Sequence, residues 1–119
     1  RLGRVVARRV EPVAELPEDD GSAPRVIIVG IGRVGRLIAD MLEVHQRPYL
    51  AIDTDSDLIE RAKREGYRAK FGDATRADAL SRLGISEAPA VVLTMDEPVL
   101  AQRMVAKLRK QYPDLLIVA

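Results

Sequence analysis

Gly30, Gly32 and Gly35 constrain this chain more than any other feature, because of what surrounds them. They follow the β-branched run Val26-Ile-Ile-Val29 and open a segment whose apolar residues (Val34, Leu37, Ile38, Met41, Leu42) recur at helical spacing. A G-x-G-x-x-G pattern alone is weak evidence; between a strand and a helix it acquires a mechanism. Gly30 allows the tight turn out of the strand. Gly32 lets the backbone come close to a pyrophosphate, and Gly35 lets the helix lie close against the sheet. The free N–H groups and positive dipole end of such a helix form an anion site. A glycine-rich connector with no ligand is the alternative.

Beyond the glycines the pattern alternates to the end. Apolar runs at Val26–Val29, Tyr49–Ile52, Arg68–Phe71, Ala90–Thr94 and Leu115–Val118 read as buried parallel strands. Helical segments are expected at Arg33–Val44, Asp57–Glu65, Arg76–Leu83 and Glu97–Gln111. Ser56 is the expected cap of the second helix, Thr75 with Asp78 a capping box for the third, and Asp96 the cap of the fourth. Pro98 suits a first helical turn, and Gly66 and Gly84 suit the positions just past helix ends. This order predicts an α/β fold, a doubly wound Rossmann-like parallel sheet with helices on both faces.

Residues 1–24 differ in kind. Arg1, Arg4, Arg8 and Arg9 precede Glu11, Glu15, Glu18, Asp19 and Asp20, with Pro and Gly throughout. They read as a linker, either a basic juxtamembrane tether near an anionic leaflet or a plain solvated one. Residues 25–119 form the folded domain. The chain begins without Met and stops inside the run Leu115–Ala119, so it is read as an excerpt of a larger protein, truncated at its C-terminal end.

Asp53 closes the second strand at about the 20-residue spacing expected of an acid that accepts hydrogen bonds from ribose hydroxyls. A carboxylate there would repel a 2′-phosphate, which favours NAD(H) or AMP/ADP/ATP over NADP(H). A plain surface acid at a strand end is the alternative. Asp53-Thr-Asp55-Ser-Asp57 also resembles the start of a calcium loop, but Leu58 and Arg64 stand where that loop needs Gly and Glu. Asp55 and Asp57 are better explained as helix-start acids. After the third strand comes Gly72-Asp73-Ala74-Thr75. Asp73 and the backbone at Ala74 could read an adenine edge; equally, Asp73 and Thr75 could simply cap the next helix. Thr94, ending the fourth strand on the same edge, is a further ligand candidate.

The chain lacks catalytic equipment. It has no Cys, and its single histidine, His45, falls at the end of the first helix away from the ligand edge. No serine sits in a nucleophile elbow. With 19 basic and 18 acidic residues and 3% aromatics, neither a basic face nor stacking platforms point to nucleic acid. The longest apolar runs are far too short to span a bilayer.

Taken in order, Val26–Gly35, Ala51–Asp55, Phe71–Thr75 and Ala90–Asp96 resemble the TrkA-N domain, also called RCK or KTN. Within that family the chain looks most like the domain following the membrane part of Kef-type potassium/proton antiporters. The resemblance covers residues 25–119, and Gly-Asp-Ala-Thr is its most discriminating block. It implies a non-enzymatic regulatory domain that binds NAD(H), AMP/ATP or another adenine nucleotide. It further implies a homodimer that gates a transporter domain of the same multi-pass parent chain, at the cytoplasmic side of the inner membrane. Matched by position, Gly30, Ile31, Gly32, Arg33 and Val34 would hold the phosphates, Asp53 the ribose, and Asp73, Ala74 and Thr94 would surround the adenine. The family's chain continues into a further helix and strand, and the residues of Kef glutathione binding have no match here. The alternatives are the NAD-binding half of a dehydrogenase and a dimerisation module with a vestigial site.

Overall fold

The computed structural model describes residues 24–76 and 78–119. The expected tether therefore lies outside the described residues, apart from Pro24. Five strands, β1 (Val26–Val29), β2 (Tyr49–Asp53), β3 (Ala69–Phe71), β4 (Val91–Leu93) and β5 (Ile117–Val118), form one parallel sheet in the order β3-β2-β1-β4-β5. Helices α1 (Arg33–Val44), α2 (Ser56–Arg64), α3 (Ala79–Arg82) and α4 (Pro98–Gln111) alternate with them, and a 3₁₀ turn at Ile85–Glu87 precedes β4. This is the expected doubly wound fold. None of the described helices is long and apolar enough to cross a membrane.

The central strand shows why an unbroken apolar run was needed. All four residues of β1 are buried, and alternate side chains serve opposite layers. Ile27 and Val29 pack with Leu80, Ile85, Met104 and Leu108 from the α3/α4 side. Val26 and Ile28 pack with Ala39, Ile59 and Ala62 from the α1/α2 side. Register is specified by this division: a one-residue slip would exchange the two layers. Chain direction across the sheet reverses between β1 and β4, so a crevice opens at their carboxyl ends, the place where ligands bind in such sheets.

Three helix starts differ from expectation. Asp55 rather than Ser56 caps α2, its side chain accepting from the Leu58 N–H at 3.1 Å. The Thr75–Asp78 capping box does not form, and α3 begins only at Ala79. Thr75 donates its N–H (2.9 Å) and its hydroxyl (2.6 Å) to Asp73 Oδ1, and the Arg76 N–H bonds the Asp73 carbonyl at 3.1 Å. That local turn satisfies the groups a longer helix would have used. For the same reason Asp73 and Thr75 do not cap α3. The flanking residue of α4 is Glu97, without a side-chain cap; Asp96 lies outside, and Pro98 starts the helix as expected. Gly66 (φ 94°) and Gly84 (φ 82°) take left-handed conformations just past α2 and α3, as their type foretold. His45 flanks the C-terminal end of α1, at the far end from the crevice.

Candidate functional site

The site is built around the exit of β1. Gly30 has φ 107°, and a Cβ there would collide with the Thr94 hydroxyl; its N–H bonds the Ile52 carbonyl at 2.8 Å. A Cβ on Gly35 would collide with the Gly30 carbonyl oxygen, so this glycine sets how closely α1 approaches the turn. Gly32 is different: a Cβ there meets nothing within 4 Å. Its carbonyl accepts the first bond of α1, from the Arg36 N–H at 2.9 Å. The preceding N–H groups have no acceptor inside the helix, and the first turn carries no acid. A helix start with a bare approach is what an anionic group requires.

Asp53 reaches back across the crevice. Its Oδ2 accepts from the Ile31 N–H at 2.9 Å and its Oδ1 from the Asp55 N–H at 3.0 Å. One carboxylate thus clasps the glycine turn to the α2 start, and each oxygen retains acceptor capacity for a hydroxyl. Ile31, expected among the phosphate contacts, has its N–H committed to Asp53 and its side chain fully buried under α1. That bond anchors the turn.

A cleft of about 950 Å³ spans the carboxyl edge. Gly30, Gly32, Arg33, Val34 and Asp53 line it on one side, and Asp73, Ala74 and Thr94 also border it. Ile31 and Gly35 do not border it; they shape the turn from beneath. Thr94 donates its hydroxyl (2.8 Å) and its N–H (3.0 Å) to the Val29 carbonyl, so toward the cleft its oxygen can only accept. The hydrogen bond from the Thr75 hydroxyl and then that from its N–H hold the Asp73 carboxyl below the usual range, against an opposing effect of burial and with a lesser contribution from Arg76. Asp73 is therefore an ionised acceptor, and among the described residues its Oδ2 takes no hydrogen bond.

Sequence reasoning missed the apolar part of the wall: Leu58 from α2, Met95 beyond β4, and Leu100 and Met104 from α4. The i, i+4 pair Leu100 and Met104 was visible as a helix face. That the face borders the cleft depends on β4 lying beside β1.

The TrkA-N domain model matches residues 26–119. The chain is 31% identical over 118 residues to the glutathione-regulated potassium-efflux system protein KefC of Escherichia coli O139:H28, and equally to that of Shigella boydii serotype 18. The alignment covers 99% of this chain and 19% of those relatives, so the chain spans about a fifth of their length. Among solved structures, the TrkA-N domain of the inner membrane protein ybaL from Escherichia coli matches with a TM-score of 0.70 and 28% identity, over 78% of this chain and 69% of that one. The Kef CTD of Shewanella denitrificans, solved in an AMP-bound form, matches with a TM-score of 0.67 and 30% identity, over 78% of this chain and 55% of that one.

Proposed function

This chain belongs to the TrkA-N domain family, and from that premise we propose that it senses an adenine nucleotide and regulates a Kef-type potassium efflux protein of which it is part. The observation that carries the reading is the convergence on one cleft of an unobstructed helix N-terminus at Gly32 and the Asp53 carboxylate.

The nucleotide phosphate sits at the N–H groups opening α1, with Arg33 adding a charge-assisted contact at the rim. Ribose hydroxyls donate to Asp53. Adenine lies between Ala74 and the apolar wall of Leu58 and Leu100, its amino group donating to Asp73. The ligand brings a negative charge and two hydroxyls; the chain brings donors for one and an acceptor for the other. AMP and NAD(H) share this half, and the Kef CTD solved with AMP supports the mononucleotide as sufficient.

The domain regulates rather than catalyses: nucleotide binding favours one of two arrangements, to the extent that its affinity for them differs. A homodimer belongs to the same reading. Leu37 (59% exposed), Met41 (51%) and Val44 (66%) form a helical stripe along α1, and Leu116 and Val118 add exposed apolar surface around β5. A membrane transporter domain in the parent chain, with this domain on its cytoplasmic side, completes the reading.

Calorimetry on the 119-residue chain with AMP, NADH and NADPH tests it. AMP and NADH are expected to bind, and NADPH to bind at least about ten-fold more weakly because its 2′-phosphate meets Asp53. Absence of AMP and NADH binding at millimolar concentration overturns the sensor, and tight NADPH binding overturns the role of Asp53.

A further inference from the structure

A second cavity, of about 230 Å³, lies on the α3/α4 side, with the Ala74–Thr75 turn between it and the cleft. Its floor is apolar and belongs to the core: Leu80, Met104 and Leu108. Among the described residues three cations, Arg76, Arg103 and Lys107, border it, and no acidic residue does.

No helix dipole accounts for these cations, and only Arg76 has an acid acting on it, Asp73, whose carboxyl it helps hold below the usual range. Among the described residues none of the three makes a salt bridge, although the whole chain carries nearly as many acids as bases. Arg103 and Lys107 stand four apart on one helix, where like charges repel. Both lie upstream of the last turn of α4, where a cation would complement the dipole; that place is held by Arg109 and Lys110. Arg109 has a further structural task, donating to the carbonyls of Pro113 and Leu115. Among the described residues Lys107 reaches only the Thr75 carbonyl, at 3.3 Å. No acid occurs anywhere in α4.

We infer that this cavity binds a small organic anion, its apolar body on Leu80, Met104 and Leu108 and its carboxylate or phosphate between Arg76, Arg103 and Lys107. An anion drawing Lys107 away from the Thr75 carbonyl acts on the turn whose Thr75 holds Asp73, at the edge of the nucleotide cleft. The cavity is therefore an effector site coupled to the cleft. The coupling rests on the nucleotide reading; the anion site does not.

The test uses benzoate, its neutral isostere benzamide, and inorganic phosphate, each titrated into the 119-residue chain without nucleotide and followed by methyl and amide NMR. Benzoate is expected to saturate in the millimolar range with shifts at Leu80, Met104, Leu108 and Thr75, and benzamide and phosphate to bind at least about five-fold more weakly. Arg103→Gln and Lys107→Gln should each weaken benzoate by about five-fold or more, whereas Arg82→Gln, whose arginine pairs with Asp78 outside the cavity, should not. No saturation by about 20 mM, equal binding of benzamide, or equal binding of phosphate overturns the site. If benzoate binds there and AMP affinity is the same with and without it, the coupling is overturned. If AMP fails to bind at all while benzoate still does, the nucleotide reading fails and the anion site stands.

Discussion

Replacing Gly32 with alanine separates the binding role of the glycine motif from its folding role. At Gly32 a Cβ meets nothing within 4 Å, and its φ of −74° suits any residue. Alanine is a poorer helix cap than glycine, which costs about 0.5–1 kcal/mol. On the proposed reading, the same open space is where a phosphate comes to about 2.9 Å from the backbone N–H groups. A methyl keeps an oxygen about 3.5 Å away, so one or two charge-assisted hydrogen bonds are lost. At about 1.5–3 kcal/mol each, AMP affinity should fall by about ten-fold or more. Gly35→Ala is the contrast: its Cβ collides with the Gly30 carbonyl, backbone against backbone, and the domain should lose about 3 kcal/mol or more. Urea unfolding and AMP calorimetry on both variants give the comparison. A Gly32→Ala protein that binds AMP within about two-fold of the parent refutes the phosphate position. If it unfolds as readily as Gly35→Ala, the space at Gly32 is not open.

Other substitutions probe the remaining parts. Asp53→Ala leaves the Ile31 and Asp55 N–H groups without their acceptor, so urea unfolding should register a loss of about 1–3 kcal/mol along with about ten-fold weaker AMP binding; unchanged stability would rule out the clasp. Thr75→Val removes the principal cause of the low Asp73 pKa, and carboxyl NMR should find that pKa raised toward the ordinary range. Because folding depresses it, Asp73 contributes stability that is complete above its unfolded pKa and is lost as pH falls through the folded one. The difference between parent and Thr75→Val should therefore narrow below about pH 4 in acid unfolding, and a difference that widens there would contradict the assignment. Thr94→Val deletes the hydroxyl bond to the Val29 carbonyl but leaves the backbone N–H on that oxygen, so a stability loss of only about 0.5–1.5 kcal/mol is expected by urea unfolding.

Much of this architecture was legible because it is encoded locally. Strand burial on both faces demands continuous apolar runs, and positions needing φ > 0 favour glycine; Val26–Val29, Gly30, Gly66 and Gly84 all carry those signals, whereas Gln46, at φ 57°, does not. The helix starts were less legible. Asp55 and Ser56 are both competent caps one residue apart, and only the path of the chain out of β2 decides between them. Thr75 had two acceptable uses for its hydroxyl, and Asp73, two residues earlier, outcompeted a capping box.

By itself the sequence determined the alternating α/β order, the glycine turn behind β1 and the acid that ends β2. Each follows from short-range rules: periodicity, backbone sterics and a fixed spacing along the chain. Tertiary structure decided what those pieces do together. It tied the Ile31 N–H to Asp53, because that carboxylate reaches the glycine turn across two adjacent strands. It also made Leu100 and Met104 a wall of the cleft, and set Arg76 from one loop beside Arg103 and Lys107 from α4. Such contacts join residues far apart in sequence, and they exist only because the reversal of strand order between β1 and β4 brings both halves of the chain to one edge.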